Sequence, residues 1–238
     1  MSKKAPGAGP QTQPVRVRRG YFECRYGQLH VHNAMPPGGG FEEATALLCV
    51  HDCPGSGRAF APFMQLAGRD RSVYAPDLPG FGESDAPEAR ASLTDYVGAL
   101  GDFIDTMRLR RLDVLGLRGG ALLAAELALA RGAEIGRLVL LSAPPAGGPG
   151  RPALPVTVAE PQRWVIEALA QYPVRERLAR LTQKLLVLRT GDDPREPGAR
   201  ALEGLPAARM VDLEIPLAEL LGAAAPRLID AVRDFLRG

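Results

Sequence analysis

Histidine is the scarcest reactive side chain in this sequence, with three copies at positions 30, 32 and 51 and none after His51. Within this chain, that excludes any mechanism whose base is an imidazole from a later segment. Cysteine is as rare. Cys24, Cys49 and Cys53 are odd in number and show no Cys-x-x-Cys spacing, which argues against a disulfide framework and suits a reducing, cytoplasmic setting. No run of about 18 apolar residues occurs, so no transmembrane helix is expected. The two lysines near the start are followed by no apolar segment, so no secretory signal is expected. Neither sign of charge dominates: 29 basic and 27 acidic residues are mixed along the chain, giving a formal net charge of +2. That balance points to neither a nucleic-acid nor a membrane partner.

What is present suits one folded unit. With 46% hydrophobic and 24% charged residues, a 238-residue chain can bury a sizeable core and stay soluble. The abundance of Arg, Ala, Gly and Pro resembles the usage of high-GC bacterial genomes. Residues 1–14, rich in Lys, Gly, Pro and Gln, are expected to form a disordered tail, and 15–238 a single domain. Alternation from Val15 to about Ala34 around Gly27 predicts a β-hairpin, and short apolar runs predict strands at 46–50, 72–75, 112–116, 138–141, 184–188 and 209–215. Helices are expected over 59–68, 93–107, 161–171 and 226–236, and in the Ala/Leu-rich stretch after Gly120. Alternating strands and helices imply parallel β-α-β units with right-handed crossovers.

The stretch around which the rest is arranged is Gly116-Leu117-Arg118-Gly119-Gly120, between an apolar strand and an apolar helix. Glycines on both sides of one side chain, at a strand-to-helix turn, give the shape of a nucleophile elbow. The residue at its apex is Arg118. A guanidinium stays protonated and cannot attack a carbonyl.

Three further motifs accompany the elbow in order: Val50-His51-Asp52-Cys53-Pro54-Gly55-Ser56, then Asp77-Leu-Pro-Gly-Phe-Gly-Glu-Ser84, and, after the elbow, Gly191-Asp192-Asp193-Pro194 at a strand end. With these the chain resembles the α/β-hydrolase superfamily from about Val15 to Leu236. The resemblance implies an α/β fold, with a mostly parallel sheet, helices on both faces and a reduced cap at about 143–182. It also implies a nucleophile on the elbow, an acid after a later strand, a histidine after the last strand and two backbone N–H groups for the oxyanion.

Carried onto this sequence, the triad positions fall on Arg118, on Asp193 with Asp192 as the second choice, and on Glu219, counted back from Pro226. The oxyanion loop has Asp52 where the family has glycine, and its N–H donors would be those of Cys53 and Gly119. An arginine buried alone is costly, so Arg118 is expected to pair with Glu219, Asp193 or both in an ion-pair cluster. His51, Asp52, Ser56, Trp164 and Asp192 are candidate pocket residues. Trp164, Ile166 and Leu169 fit a pocket roof and the apolar face of a short cap helix equally well.

Other chemistry is thinner. Cys53 lacks a base other than His51, and Ser56 and Ser84 belong to turns. His30 and His32 share a strand face, but no third ligand is evident and no metal or cofactor is expected. Asp77 reads as structural. The expected function is that of a hydrolase-like protein without the Ser-His-acid triad, non-catalytic or ligand-binding. The alternative is a divergent hydrolase or lyase acting on a small, anionic substrate, with Arg118 as electrostatic clamp and Glu219 or Asp193 as base. A small-molecule ligand and homo- or hetero-oligomerisation stay open, including a structural role beside an active paralogue.

Overall fold

The computed structural model describes residues 15–38, 45–144, 158–193, 202, 205 and 208–237. The expected N-terminal tail, and the part of the expected cap at 145–157, lie outside these residues.

The hairpin forms as expected, from β1 (Arg18–Cys24) and β2 (Gly27–Ala34). It is followed by β3 (Ala46–Val50), a 3-10 turn at Gly57–Phe60, α1 (Ala61–Ala67), β4 (Val73–Pro76) and α2 (Leu93–Thr106). Next come β5 (Leu112–Leu117), α3 (Gly119–Ala130) and β6 (Ile135–Leu141). The short helices α4 (Glu160–Ala170) and α5 (Val174–Leu178) precede β7 (Lys184–Arg189) and β8 (Ala208–Asp212). The chain closes with α6 (Leu217–Leu220) and α7 (Ala225–Arg237).

Among the described residues these strands make one sheet in the order β1-β2-β4-β3-β5-β6-β7-β8. β2 runs antiparallel to β1 and β4, and the pairs from β4 through β8 are parallel. The central strands are buried on both faces, which is why β3 and β5 read as continuous apolar runs rather than alternating ones. One core layer packs α2, α3, α4 and α5 against the sheet, and the other packs α1 and α7 against the opposite face.

Differences from expectation are local. The last strand ends at Asp212 rather than 215, because the chain turns at Glu214, whose φ is 51°. Helices α5 and α6 were not foreseen; at five and four residues they are too short to show a helical period. α2 carries a capping box, with the Ser92 hydroxyl accepting from the Asp95 N–H and the Asp95 carboxylate accepting from the Ser92 N–H.

Candidate functional site

The elbow is intact as backbone. β5 ends at Leu117, α3 starts at Gly119, and Arg118 between them has φ 47° and ψ −115°, a conformation that L residues rarely adopt. The Arg118 N–H donates to the Leu141 carbonyl at 2.9 Å, and its carbonyl accepts from the Ala121 N–H at 2.9 Å. Gly116 and Gly120 make this turn possible. A Cβ on Gly116 would run into the Ala121 backbone, and one on Gly120 into the carbonyls of Val50 and His51. The strain at Arg118 has not relaxed into its glycine neighbour, and holding it costs about 1–3 kcal/mol.

The arginine itself departs from the expected buried cluster. Its side chain is 45% exposed, and its Nη2 lies 3.6 Å from Oδ2 of Asp192, which is 43% exposed. A loose, exposed pair of this kind contributes at most about 1 kcal/mol. Among the described residues Arg118 pairs with neither Asp193 nor Glu219. Asp193 is turned away: its Oδ2 accepts the Thr190 N–H at 2.8 Å and its Oδ1 accepts the Ser142 hydroxyl, stitching the end of β7 to the end of β6. Glu219 lies on α6 with an exposed side chain.

The acid that faces the elbow is therefore Asp192. Its Oδ1 accepts the Leu217 N–H at 2.9 Å and the Thr190 hydroxyl at 2.8 Å. Partial burial works to raise its pKa, but those hydrogen bonds and the Arg118 charge outweigh it and hold the carboxyl below its ordinary value.

The oxyanion turn holds a side chain against the expected pair of donors. The N–H groups of Cys53 and Gly119 converge on a single atom, Oδ1 of Asp52, at 2.7 and 3.0 Å. Two backbone donors about 3 Å from one anionic oxygen meet the geometric test of an oxyanion hole. The residue that replaces the loop glycine thus occupies the hole with its own carboxylate.

His51 lies in the interior of the fold. It is fully buried, its Nε2 lies 2.9 Å from the Leu78 N–H and its Nδ1 2.7 Å from the Asp52 carbonyl. An amide N–H can only donate, so Nε2 accepts and the ring proton sits on Nδ1. Burial pushes its pKa down to about 4, so the neutral ring clamps the oxyanion turn to the segment after β4. Ser56 is half-buried and begins the 3-10 turn, its carbonyl accepting the Ala59 N–H. Trp164, on α4, lines a surface groove with Arg90, Val158, Glu160, Arg163 and Glu167; none of these holds a triad position.

Two features escaped the sequence. Glu126 on the elbow helix accepts the Tyr172 hydroxyl at 2.5 Å and two Arg177 N–H groups at 2.6 Å each, tying α5 and its approach to α3. No motif marks this contact. The second is the Asp52 plug, for which the signal was available: a carboxylate on the residue directly before Cys53, one of the two expected N–H donors.

Comparison with known proteins agrees with the sheet and elbow. A family profile described as "Alpha/beta hydrolase family" matches residues 47–236. The enol-lactonase from Burkholderia xenovorans LB400 superposes with a TM-score of 0.77 at 18% identity, covering 92% of this chain and all of that one (100%). Naproxen esterase from Bacillus subtilis gives 0.71 at 19% identity, covering 93% and 92%. In sequence, the 1-acylglycerol-3-phosphate O-acyltransferase ABHD5 of Rattus norvegicus is 29% identical over 146 residues, 60% of this chain and 38% of that protein. This chain thus spans well under half the length of the curated relatives it matches.

Proposed function

Since the chain belongs to the alpha/beta hydrolase family, we propose that it is a non-catalytic member that keeps the fold as a binding scaffold for a small anionic molecule. The observation that carries this reading is the Asp52 carboxylate seated on the N–H groups of Cys53 and Gly119. A substrate carbonyl would have to displace a charged oxygen already held by both donors before any attack could begin. The other parts of the family's chemistry are missing beside it. Arg118 supplies no nucleophile, and His51 has both ring nitrogens engaged.

A carboxylate base in place of the histidine is disfavoured by the geometry. Asp192 faces Arg118 with its pKa lowered, which makes it a weaker proton acceptor, and Asp193 is committed to Ser142 and Thr190. The anionic ligand is supported by Arg118. Its guanidinium is half exposed and, among the described residues, held by a single 3.6 Å contact, so donors remain for a carboxylate or phosphate. Association with a second copy or with another protein is compatible with this reading.

The test is turnover of short-chain activated esters by wild type and Arg118→Ala, beside titration of both with small carboxylates and phosphates. The expected outcome is no turnover above buffer by either protein and saturable anion binding lost in the variant. Turnover by wild type that disappears in Arg118→Ala would retire the reading.

A further inference from the structure

Away from the elbow, the hairpin brings together three donors that the sequence left as an incomplete set. His30 and His32 are two apart on β2 and share the face opposite Leu29 and Val31. Asp77 lies just past the end of β4, and its N–H donates to the His30 carbonyl at 2.8 Å. One donor atom from each of His30, His32 and Asp77 lies within 4.8 Å of the other two. All three are buried, at 1%, 8% and 1% exposure. Their separations are short enough to matter: His30 Nδ1 is 2.9 Å from Asp77 Oδ2, and His32 Nε2 is 4.0 Å from Asp77 Oδ1.

We infer that His30, His32 and Asp77 form a binding site for a divalent first-row transition ion of the zinc class.

Two imidazoles and a carboxylate are the donor set such ions prefer, and a fourth position is left for water. Ligands at about 2.1 Å from a tetrahedral ion stand about 3.4 Å apart, so the 2.9 Å His30–Asp77 contact opens slightly while His32, 4.0 Å from Asp77, moves in. The His32 side chain is 11% exposed, which gives the ion a way in.

A second, independent observation is the other nitrogen of His30. Its Nε2 is buried without a hydrogen-bond partner. With the ring proton on Nδ1, toward Asp77, the Nε2 lone pair is stranded, and Glu83 Oε2, also only an acceptor, lies 4.0 Å away. An ion on Nδ1 reverses this. The proton moves to Nε2 and points at the Glu83 carboxylate, which is already held in place by the Tyr21 hydroxyl at 2.8 Å and by Arg19 at 3.6 Å. Tyr21 and Arg19 stand directly across the hairpin from His30 and His32. A ligating histidine whose far N–H meets a carboxylate is the usual support for a metal-bound ring. Here that support is in place before any ion arrives.

The test uses the full chain without a polyhistidine tag. Zn²⁺ is titrated calorimetrically, and Co²⁺ is followed by its visible absorption, in wild type, His32→Ala and Glu83→Gln. The expected result is one ion per chain, a cobalt spectrum without thiolate charge transfer, and a melting temperature raised by Zn²⁺ in wild type. His32→Ala should weaken binding at least tenfold. Glu83→Gln, a surface change that leaves all three ligands, should weaken it by about 10-fold or more. Absence of Zn²⁺ binding by wild type would overturn the assignment. So would unchanged affinity in folded His32→Ala, or a cobalt–thiolate band that places the ion on a cysteine.

Discussion

The Asp52 carboxylate reaches from the end of β3 to the first N–H of the elbow helix, 3.0 Å away on Gly119. One side chain therefore joins the two segments that an oxyanion would otherwise bridge. Replacing Asp52 by glycine should remove the acceptor that the Cys53 and Gly119 N–H groups share. The expected outcome is faster amide exchange at both positions and a loss of about 1–3 kcal/mol. In that variant, added acetate should shift the two amide resonances by NMR, while in wild type it should not. Identical responses in both proteins would mean that the pair is not held by Asp52.

Arg118→Gly should stabilise the fold. The position has φ 47° and ψ −115°, which glycine adopts without penalty, and among the described residues the side chain lost pairs with the half-exposed Asp192 alone. A gain of about 1–2 kcal/mol corresponds to a melting temperature about 2–8 °C higher for a domain of this size. Calorimetry decides it, and a lower melting temperature would show that the guanidinium matters more than its geometry indicates. Arg118→Ser restores a hydroxyl at the apex but should remain inactive on activated esters, because the hole stays filled and no histidine faces it.

Gly120→Ala should do the opposite. Its Cβ would collide with the Val50 and His51 carbonyls, which belong to the segment carrying the oxyanion turn. Overpacking of this kind costs about 1–3 kcal/mol, read as a lower denaturation midpoint. An unchanged midpoint would mean that α3 can move away from β3.

The contact between α3 and α5 should depend on pH. Burial works to raise the Glu126 pKa, but hydrogen bonds from Arg177 and Tyr172 outweigh it and leave the carboxyl below its ordinary 4.5. A group depressed in the folded state stabilises it above the unfolded pKa, and that contribution is lost as pH falls through the folded pKa. Glu126→Gln should therefore destabilise by about 1–3 kcal/mol at neutral pH. The difference from wild type should shrink as pH falls below the ordinary carboxyl value of 4.5 and through the lowered one. A difference that persists undiminished there would assign the effect to packing.

The fold was legible because its signals are local and repeated. Apolar runs marked β3, β5 and β7, and the glycines at 116 and 120 marked the elbow from its steric need alone. The site was legible by position and not by contact. Counting along the chain placed Arg118, Asp193 and Glu219 at triad-equivalent positions. It could not foresee that Asp193 would be drawn to Ser142 and Thr190 while Asp192 turned toward the elbow. Adjacent carboxylates on a turn point in opposite directions, so a shift of one residue reverses which of them meets the guanidinium. His30 and His32 were visible as a pair, but Asp77 follows a strand that meets them through the antiparallel register of β2 with β4.

A tethered group competes for its site at a local concentration set by the short chain that holds it, commonly millimolar or higher. The Asp52 carboxylate, attached directly to the turn whose N–H groups it occupies, is such a permanent competitor. A free anion must exceed that local concentration to gain the Cys53 and Gly119 donors, so dilute metabolites pass this part of the site unnoticed. Among the described residues the Arg118 guanidinium has no comparable tethered rival, since Asp192 stands 3.6 Å off in contact with solvent. On the proposed reading, sensitivity to dilute anions belongs to the arginine, and the two halves of the triad-equivalent site answer to different ranges of concentration.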